Sequence, residues 1–290
     1  MTRHSSPSAT ASSRLRNCGR AFAAACLHAP VRERRRLLAL VLLPFAVPGR
    51  PADVPLPGML DQIGQQEERF WSYFPSVTCT ESVTQTKLGS KDKSLFVHRQ
   101  TFDYLIGLQA SGLDIQVDES RLQKTRSGSK ANVALLETNG FSIFSLMFHP
   151  LYQSRYEFTP LADQSTSDQR LLCLGFRQVG TDHPLSVLRV RDKEYPLAWR
   201  GKAWIDANTW AVVRVQAGLG DSMEYLGLLR LDVDVTYSEV RFSDSTAYEL
   251  PARAVIDAET KRQHWRNTHV FTDYRRFAVA TDEKVEGPKK

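Results

Sequence analysis

Residues 231–237, LDVDVTY, alternate strictly between apolar and polar side chains. Apolar residues occupy every second position from Leu231 to Tyr237, and two aspartates and a threonine lie between them. Successive side chains of a β-strand project to opposite faces, so this pattern predicts a strand with one apolar face and one wet face. Strands of this kind belong to antiparallel sheets, because parallel sheets are buried on both faces.

The same period of two recurs along most of the chain. The segments Ser76–Leu88, Ser94–Ala110 and Leu113–Thr125 predict a meander of three strands. With no βαβ rhythm and no internal repeat, about ten strands predict a mainly β (α+β) fold built on one large, curved, open antiparallel sheet. The later strands are predicted in SRYEFTP, QRLLCLGFRQV, YPLAWRGKAWIDANTWAVVRVQ, LLRLDVDVTYSEVRF, YELPARAVIDAETKRQ and WRNTHVFTDYRRFAVA.

Two segments have helical character instead. Residues 59–74 place most of their apolar side chains on one helical face, and Pro75 ends the pattern. Residues 139–152 predict a short helix that is apolar around nearly its whole circumference and therefore buried on more than one side. We expect both helices on the hollow side of the sheet.

The segment Tyr195–Gln216 predicts a hairpin whose turn, residues 207–209, pairs Asp206 with Trp210. Its apolar face carries small residues where a packed sheet normally has branched or aromatic ones, so two readings stay open. Either helix 59–74 inserts its rings there, or an apolar cavity remains. The cavity candidates are Phe70, Trp71, Phe74, Phe141, Phe144, Met147, Phe148, Trp199, Gly201, Ala203, Ala211 and Val213.

The N-terminal 49 residues have the order of regions found in a secretory signal. In RERRRLLALVLLPFAVPG an arginine cluster precedes an apolar run, residues 37–47, which is too short to span a bilayer. We expect cleavage near Gly49, export to the periplasm or the medium, and no transmembrane segment afterwards. A translation start near Val31 is a hypothesis; residues 1–30 also fit an organellar transit peptide, and FAAAC faintly resembles a lipidation site at Cys26.

The predicted organisation is a leader (1–49), a linker (50–58), one domain (59–280) and a polar tail (281–290). Most of the excess positive charge lies in the leader, which has eight arginines and one acid. Residues 50–290 carry 30 basic and 31 acidic residues, so the body of the protein lacks the basic footprint of a nucleic-acid-binding domain.

Cleavage of the leader leaves two cysteines, Cys79 and Cys173. In an oxidising compartment such a pair often forms a disulfide, which we predict here; two buried thiols are the alternative. No second pair of ligands accompanies either cysteine, so we expect no metal site and no cofactor.

The sequence contains no motif that predicts an enzyme. A nucleophile elbow, a phosphate loop and a dinucleotide glycine motif are all missing from it. His264 and His269 are five residues apart on a predicted strand and should face opposite sides, and His149 should end the short helix. A catalytic site assembled only in space would leave no such trace.

The order of leader, helix, meander, helical interruption and long antiparallel series resembles the bacterial lipoprotein-carrier (LolA-like) superfamily. The segments FPSVTCTESV, YPLAWRGKAWIDANTWAVVRV, YELPARAVI and WRNTHVFTDYRRFAV resemble uncharacterised exported acidobacterial proteins more closely. The resemblance covers residues 56–279 and implies an open half-barrel whose mouth is covered by helices. Such proteins often have glycine where this chain has Trp210, and no ligand-contacting motif carries over.

These observations lead to one expected function and two alternatives. We expect an exported, non-catalytic protein that shelters an apolar small molecule, lipid or lipoprotein in the half-barrel. An envelope protein-interaction module with a filled core and a hydrolase with a dispersed site remain alternatives. The sequence does not predict the oligomeric state.

Overall fold

The computed structural model describes residues 54–74, 76–111, 114–123, 138, 140–165, 169–180, 184–190 and 192–276. The predicted leader and polar tail lie outside the described residues, as do Pro75 and residues 50–53 of the predicted linker, while residues 56–58 of that linker belong to a helix. Two helices are α-helical, α1 (Leu56–Tyr73) and α2 (Pro150–Gln153), and short 3₁₀ helices cover Ser90–Asp92, Ser142–Phe148 and Glu224–Leu226.

Thirteen strands form within the described residues, close to the number that the sequence predicts. They are β1 (Val77–Leu88), β2 (Ser94–Ser111), β3 (Asp114–Gln123), β4 (Tyr156–Pro160), β5 (Gln164–Ser165), β6 (Arg170–Gln178), β7 (Val187–Val190), β8 (Lys193–Pro196), β9 (Trp199–Asp206), β10 (Val212–Leu219), β11 (Leu228–Arg241), β12 (Ala247–Thr260) and β13 (His264–Arg276).

The main sheet is antiparallel and open. Its strand order is β3-β2-β1-β13-β12-β11-β10-β9-β6-β4, with β5 paired to β6, while β7 and β8 form a separate hairpin. Among the described strands the sheet therefore ends at β3 on one side and at β4 on the other, and β1 lies beside β13. The predicted mainly β fold with an open antiparallel sheet and an N-terminal helix is confirmed.

One face of the sheet is apolar and covered by the helices. In β11 the alternating residues Leu231, Val233, Val235 and Tyr237 are all buried, as the sequence pattern predicts. They belong to a single core that also contains residues of α1 and of the segment 140–153, which we call the covering segment. The hollow side of the sheet is therefore the packed side.

The covering segment is not the single short helix that the sequence predicts. The 3₁₀ helix Ser142–Phe148 ends at His149, whose backbone is extended (φ −65°, ψ 140°), and Pro150 opens α2. A proline ring disfavours helical backbone in the residue before it and fits the first turn of a new helix. The sequence HP therefore divides the segment in two. The His149 side chain accepts a hydrogen bond from the Leu151 amide and caps the second part, 3.3 Å away.

The two predicted disulfide partners do not form a bond. Cys79 and Cys173 are both buried thiols outside any disulfide. Cys79 lies on β1 and Cys173 on β6, and five strands separate these in the sheet. The alternative of two buried thiols is the one that the structure contains.

Candidate functional site

Most of the predicted cavity residues lie in the packed core. Phe74, Phe144 and Trp199 are at most 7 % exposed, and Phe148 and Ala203 are fully buried. The same core includes Trp71, Phe141 and Met147, and Phe70 packs against it while half-exposed. The hollow face is consequently filled by the protein's own aromatic side chains.

The covering segment reaches the small-residue hairpin, while the aromatic contacts of α1 lie elsewhere. The Phe144 ring stands edge-on to Trp199 of β9 at 5.4 Å between centroids. The Phe70 and Phe74 rings of α1 instead stand against Tyr248 of β12, at 5.7 and 5.9 Å. The hairpin face is therefore packed, but the ring that reaches it comes from the covering segment and not, as the first reading expects, from helix 59–74.

Gly201 is small for a different reason. A Cβ atom added there would lie 1.9 Å from the Gln216 carbonyl oxygen and 2.9 Å from the Ala217 Cα. The backbones of β9 and β10 approach too closely at this point for any side chain. The glycine therefore accommodates the neighbouring strand.

The second strand of the hairpin contains a bulge that the sequence analysis missed. Val212 lies opposite Ile205 and Arg214 opposite Trp204, so Val213 is the extra residue and is half-exposed. The prediction that Val213 faces the core is wrong for this reason, since a bulge shifts the alternation by one. Val215 and Ala217 lie on the inner face as predicted, and Ala211 is buried at the end of the turn.

The predicted turn forms with a left-handed residue at its end. The Trp210 amide donates to the Asp206 carbonyl at 2.8 Å, and Trp210 has φ +61°. The Asp206 carboxylate accepts from the amides of Asn208 and Thr209 at 2.7 and 2.9 Å. Burial raises the pKa of Asp206, but these donors and that of Gln169 outweigh it and hold the pKa below its ordinary value.

A charged cluster interrupts the apolar inner face near the β3 end of the sheet. Glu81 of β1 is fully buried and accepts from Arg121 of β3 in a two-point ion pair, with one N–O distance of 2.7 Å. The His269 Nδ1 atom of β13 lies 2.7 Å from a Glu81 oxygen, and its Nε2 atom lies 2.9 Å from the Thr138 hydroxyl. Four distant parts of the sequence meet here.

The protonation states follow from burial and pairing. Burial lowers the pKa of His269 below its ordinary value, against the opposing effect of Glu81, which favours the neutral imidazole. Burial raises the pKa of Glu81, but hydrogen bonds from His269 and Arg121 hold it below its usual range. A neutral His269 that donates from Nδ1 to Glu81 accepts at Nε2 from Thr138. The hydroxyl, imidazole and carboxylate are therefore joined in one chain of hydrogen bonds.

A second carboxylate fastens the covering segment to the edge strand. Glu119 of β3 accepts from the amide of Gly140 and from the amide and hydroxyl of Ser142, with the Ser142 amide at 3.3 Å. It also accepts from the Tyr104 hydroxyl. Burial, together with the neighbouring Glu119 charge, raises the pKa of the Tyr104 phenol, which keeps it a donor. The main-chain donors at the start of the covering segment are thus already occupied.

Tyrosine hydroxyls hold the rest of the covering segment. The Tyr237 hydroxyl of β11 donates to the Phe141 carbonyl at 2.7 Å. The Tyr152 hydroxyl of α2 accepts from the Ile115 amide of β3 at 2.9 Å and lies 3.5 Å from the Ile115 carbonyl oxygen. The Phe148 ring packs on Phe158 of β4 at 5.1 Å. The covering segment therefore contacts both ends of the open sheet.

One further carboxyl lies between α1 and the covering segment. Glu67 is 4 % exposed and accepts from the Trp71 indole at 3.0 Å. Burial raises its pKa to about 8, although hydrogen bonds from Ser145 and Trp71 oppose this. The group is therefore protonated at neutral pH, and no buried negative charge separates the helix from the segment below it.

The sequence pattern does contain a signal for the burial of Glu81. Glu81 alternates with Val77, Cys79 and Val83, all of them buried, so the period of two already assigns it to the inner face. His264 and His269 face opposite sides as predicted: His264 pairs with Asp257, and His269 joins the buried cluster. No sequence signal links Glu81 to Arg121, because that contact depends on the pairing of β1, β2 and β3.

A cleft of about 840 Å³ opens beside the edge strand β3. Residues 115–119 of β3 form one wall, residues 184–187 at the start of the β7–β8 hairpin form the other, and Ile143 and Leu146 of the covering segment line it as well. Ile115, Val117, Ile143 and Leu185 are half-exposed there. Its lining also carries charged side chains of both signs, among them Asp118, Arg155 and Glu194, so the cleft offers a ligand apolar and polar surface side by side.

The described residues offer no arrangement for a metal ion, and among the described helices none is long and apolar enough to cross a membrane. Comparison with known proteins gives structural neighbours only, since no family model and no curated protein matches. The neighbours include LolA-superfamily proteins. The closeness to acidobacterial proteins stays a prediction.

Three solved structures illustrate the likeness. A DUF1329 family protein from Desulfovibrio piger has a TM-score of 0.44 and 9 % identity, covering 80 % of this chain and 97 % of that one. The LolA superfamily protein NE2245 from Nitrosomonas europaea has a TM-score of 0.35 and 10 % identity, with coverages of 76 % and 94 %. An outer membrane lipoprotein-sorting protein domain from Vibrio parahaemolyticus has a TM-score of 0.37 and 11 % identity, covering 77 % of this chain and 94 % of that one.

Proposed function

We propose that this chain is an exported binding protein that holds an apolar ligand, such as the acyl chain of a fatty acid, lipid or lipoprotein, in the cleft beside β3. The observation that carries the proposal is the set of half-exposed apolar side chains Ile115, Val117, Ile143 and Leu185 around about 840 Å³ of space. The volume lies within the range of small-molecule ligand pockets, roughly 300–1,000 Å³.

The energetic reason is the burial of hydrocarbon. Each methylene group that an acyl chain removes from water contributes about 0.8 kcal/mol, and the side chains that border the cleft lose exposed apolar surface at the same time. The charged groups Asp118 and Glu194 lie at the same cleft and are exposed, and the half-exposed Arg155 lines it beside Tyr152. They would keep a polar end of the ligand in water while the apolar end lies against Ile143 and Leu185.

The proposed location is the periplasm or the medium. The arginine cluster and apolar run of residues 32–47 support export, with cleavage near Gly49. N-terminal peptide mapping of the native protein would test both the cleavage site and a start near Val31. Recovery of peptides from residues 1–30 in the precursor would contradict the later start.

The binding proposal is tested by native mass spectrometry of the protein as purified, and then of delipidated protein mixed with palmitate, a phosphatidylethanolamine or a diacylated lipopeptide. We expect a mass shift with at least one of these. Leu185→Glu should weaken it at least tenfold, because a charge would then border the apolar wall. Leu95→Glu, at a position 61 % exposed and outside the cleft, is the matched control. The absence of any shift with the folded protein contradicts the proposal.

A non-catalytic interaction module is the second candidate, and the filled hollow face favours it. Phe141, Leu146, Met147 and Phe148 are all at most 1 % exposed, so the covering segment already occupies the space that a carrier would offer. This role predicts no ligand shift in native mass spectrometry, together with a defined protein partner trapped by crosslinking in cells. A ligand shift without a crosslinked partner would exclude it.

A further inference from the structure

We propose that the outer edge of β3 binds an extended segment of a partner polypeptide as an added strand, and that this segment alternates apolar and basic residues. The proposal goes beyond the apolar-ligand function, because it concerns the main-chain groups of β3 and not the hydrocarbon surface around them. It rests on the direction of those groups, on the shape of the cleft and on its charge.

The direction of the main-chain groups follows from Tyr152. Its hydroxyl accepts from the Ile115 amide and lies within reach of the Ile115 carbonyl, so both groups point away from β2. In an antiparallel pair the residues that bond to the neighbouring strand alternate with those that point away from it. Val117 and Glu119 therefore share the direction of Ile115. Outside the ladder with β2, no hydrogen bond from a described residue reaches the amide or the carbonyl of Val117.

The shape of the cleft agrees with this direction. The cleft touches five consecutive residues, 115–119. Successive side chains of a strand project to opposite faces, so a space that meets all five must lie along the edge of the strand. At a rise of about 3.4 Å per residue this edge is about 14 Å long, which is the length of a four- or five-residue strand. Tyr152 occupies one end and leaves Val117 and Glu119 for a partner.

The side chains specify the character of the added strand. Opposite residues of paired strands share a face, so the partner residues on the side of Ile115 and Val117 meet the apolar surface of Ile143. The partner residues on the other side meet Asp118, which is exposed and has no ion-pair partner among the described residues. Lysine or arginine is the complement there. A second copy of β3 paired antiparallel about Val117 would place Asp118 opposite Gln116, so self-pairing would supply no cation to either Asp118.

The first test uses a fluorescein-labelled peptide, acetyl-VKVKVKV-amide, and needs no protein variant. We expect saturable binding to the intact protein, measured by anisotropy. N-methylation of alternate residues should abolish binding when it blocks the amides that face β3, namely those of the valines for antiparallel pairing or of the lysines for parallel pairing. Methylation of the other set should change the affinity less than threefold. Equal effects of the two sets, or no binding, overturn the proposal.

The second test changes β3 itself. Val117→Pro removes only an outward-pointing amide, a place where edge strands tolerate proline, so the melting temperature should hold while the affinity falls at least tenfold. Val117→Ala keeps the amide and should bind nearly as the parent does. Asp118→Asn should weaken the lysine peptide several-fold and leave a glutamine version unchanged. Wild-type affinity of a folded Val117→Pro protein contradicts added-strand binding.

Light scattering tests whether a second copy of this chain, instead of a different partner, pairs with the β3 edge. If the protein dimerises and Val117→Pro makes it monomeric, the edge pairs with a second copy of this chain, and the basic-segment proposal is wrong. A monomer that binds the peptide supports it. Because neither measurement involves a lipid, failure here leaves the mass-spectrometric result on apolar ligands untouched.

Discussion

At the scale of single residues, Gly201 is a position where the neighbouring backbone leaves no space for a side chain. Gly201→Ala should lower the free energy of unfolding by about 1–3 kcal/mol, because the new methyl group would overlap the Gln216 carbonyl of β10. Gly175→Ala on β6 is the control, since a Cβ there meets neighbours only at 3.5 Å and beyond. Urea denaturation measures both. Equal stabilities for the two variants would show that β9 and β10 do not approach so closely.

Trp210 is a second residue at which the backbone conformation affects stability, because it is left-handed and the residue is not glycine. It has φ +61°, where glycine is favoured over alanine by about 1–2 kcal/mol. Both Trp210→Gly and Trp210→Ala lose the packing of the indole, so their difference isolates the backbone. We expect the glycine variant to be the more stable by about 1 kcal/mol in thermal or urea unfolding. A more stable alanine variant would contradict the left-handed turn.

Residue-scale features were predictable from the sequence wherever the alternation is regular. Ala203 and Val215 lie on the inner face because nothing interrupts the period around them. Val213 does not, because the bulge between Val212 and Arg214 is a property of the pairing with β9 and has no signature in the residue types. Glu81 was predictable in position but not in partner.

At the scale of elements, the covering segment depends on Glu119 at its start. Glu119→Ala should expose unpaired amides at Gly140 and Ser142, accelerate their hydrogen exchange and lower the stability by about 2 kcal/mol. Asp118→Ala, one residue away and exposed, is the matched control and should leave both amides protected. Hydrogen exchange read by mass spectrometry or NMR makes the comparison. Unchanged exchange in Glu119→Ala would mean that packing alone holds the segment.

Element types were easier to predict than element boundaries. The apolar periodicity of residues 59–74 gave α1, which begins three residues earlier because Pro55 and Pro57 suit a helix start. The break at His149–Pro150 follows from proline geometry and could have been predicted. The ion pair that joins β1 to β3 could not, because it requires the strand register.

At the scale of the whole molecule, Glu67 makes global stability depend on pH. Its folded pKa of about 8 lies above the ordinary value of 4.5, so the folded state holds a proton that the unfolded state has lost between those values. This contribution is fully present below about pH 4.5 and is lost as pH rises toward 8, by up to about 1.4 kcal/mol per pH unit.

Glu67→Gln tests this contribution. The amide keeps the acceptor for Trp71 but cannot ionise, so the difference in unfolding free energy between variant and parent should grow from pH 5 to pH 8 in favour of the variant. Glu68→Gln makes the same chemical change at an exposed neighbour and is the matched control. A constant difference across this range would mean that Glu67 titrates normally.

The overall architecture was predictable as a class but not as an order of strands. The period-two patterns and the short turns predict an open antiparallel sheet, because strands that follow each other in the sequence usually pair. The pairing of β1 with β13 joins segments that nothing local connects, since about 190 residues separate Val83 from its partner His269.

That pairing sets the timing of maturation. A chain delivered from its N-terminus, whether by a ribosome or through a membrane pore, presents β1 long before its partner has emerged. Until β13 is available, one edge of β1 has no paired strand, and Glu81 lacks its hydrogen-bond partner His269. The sheet therefore cannot be completed, and the edge of β1 stays open to wrong pairing, until synthesis or transport is nearly over. Truncation that removes β13 should therefore be far more harmful than its distance from the cleft would suggest.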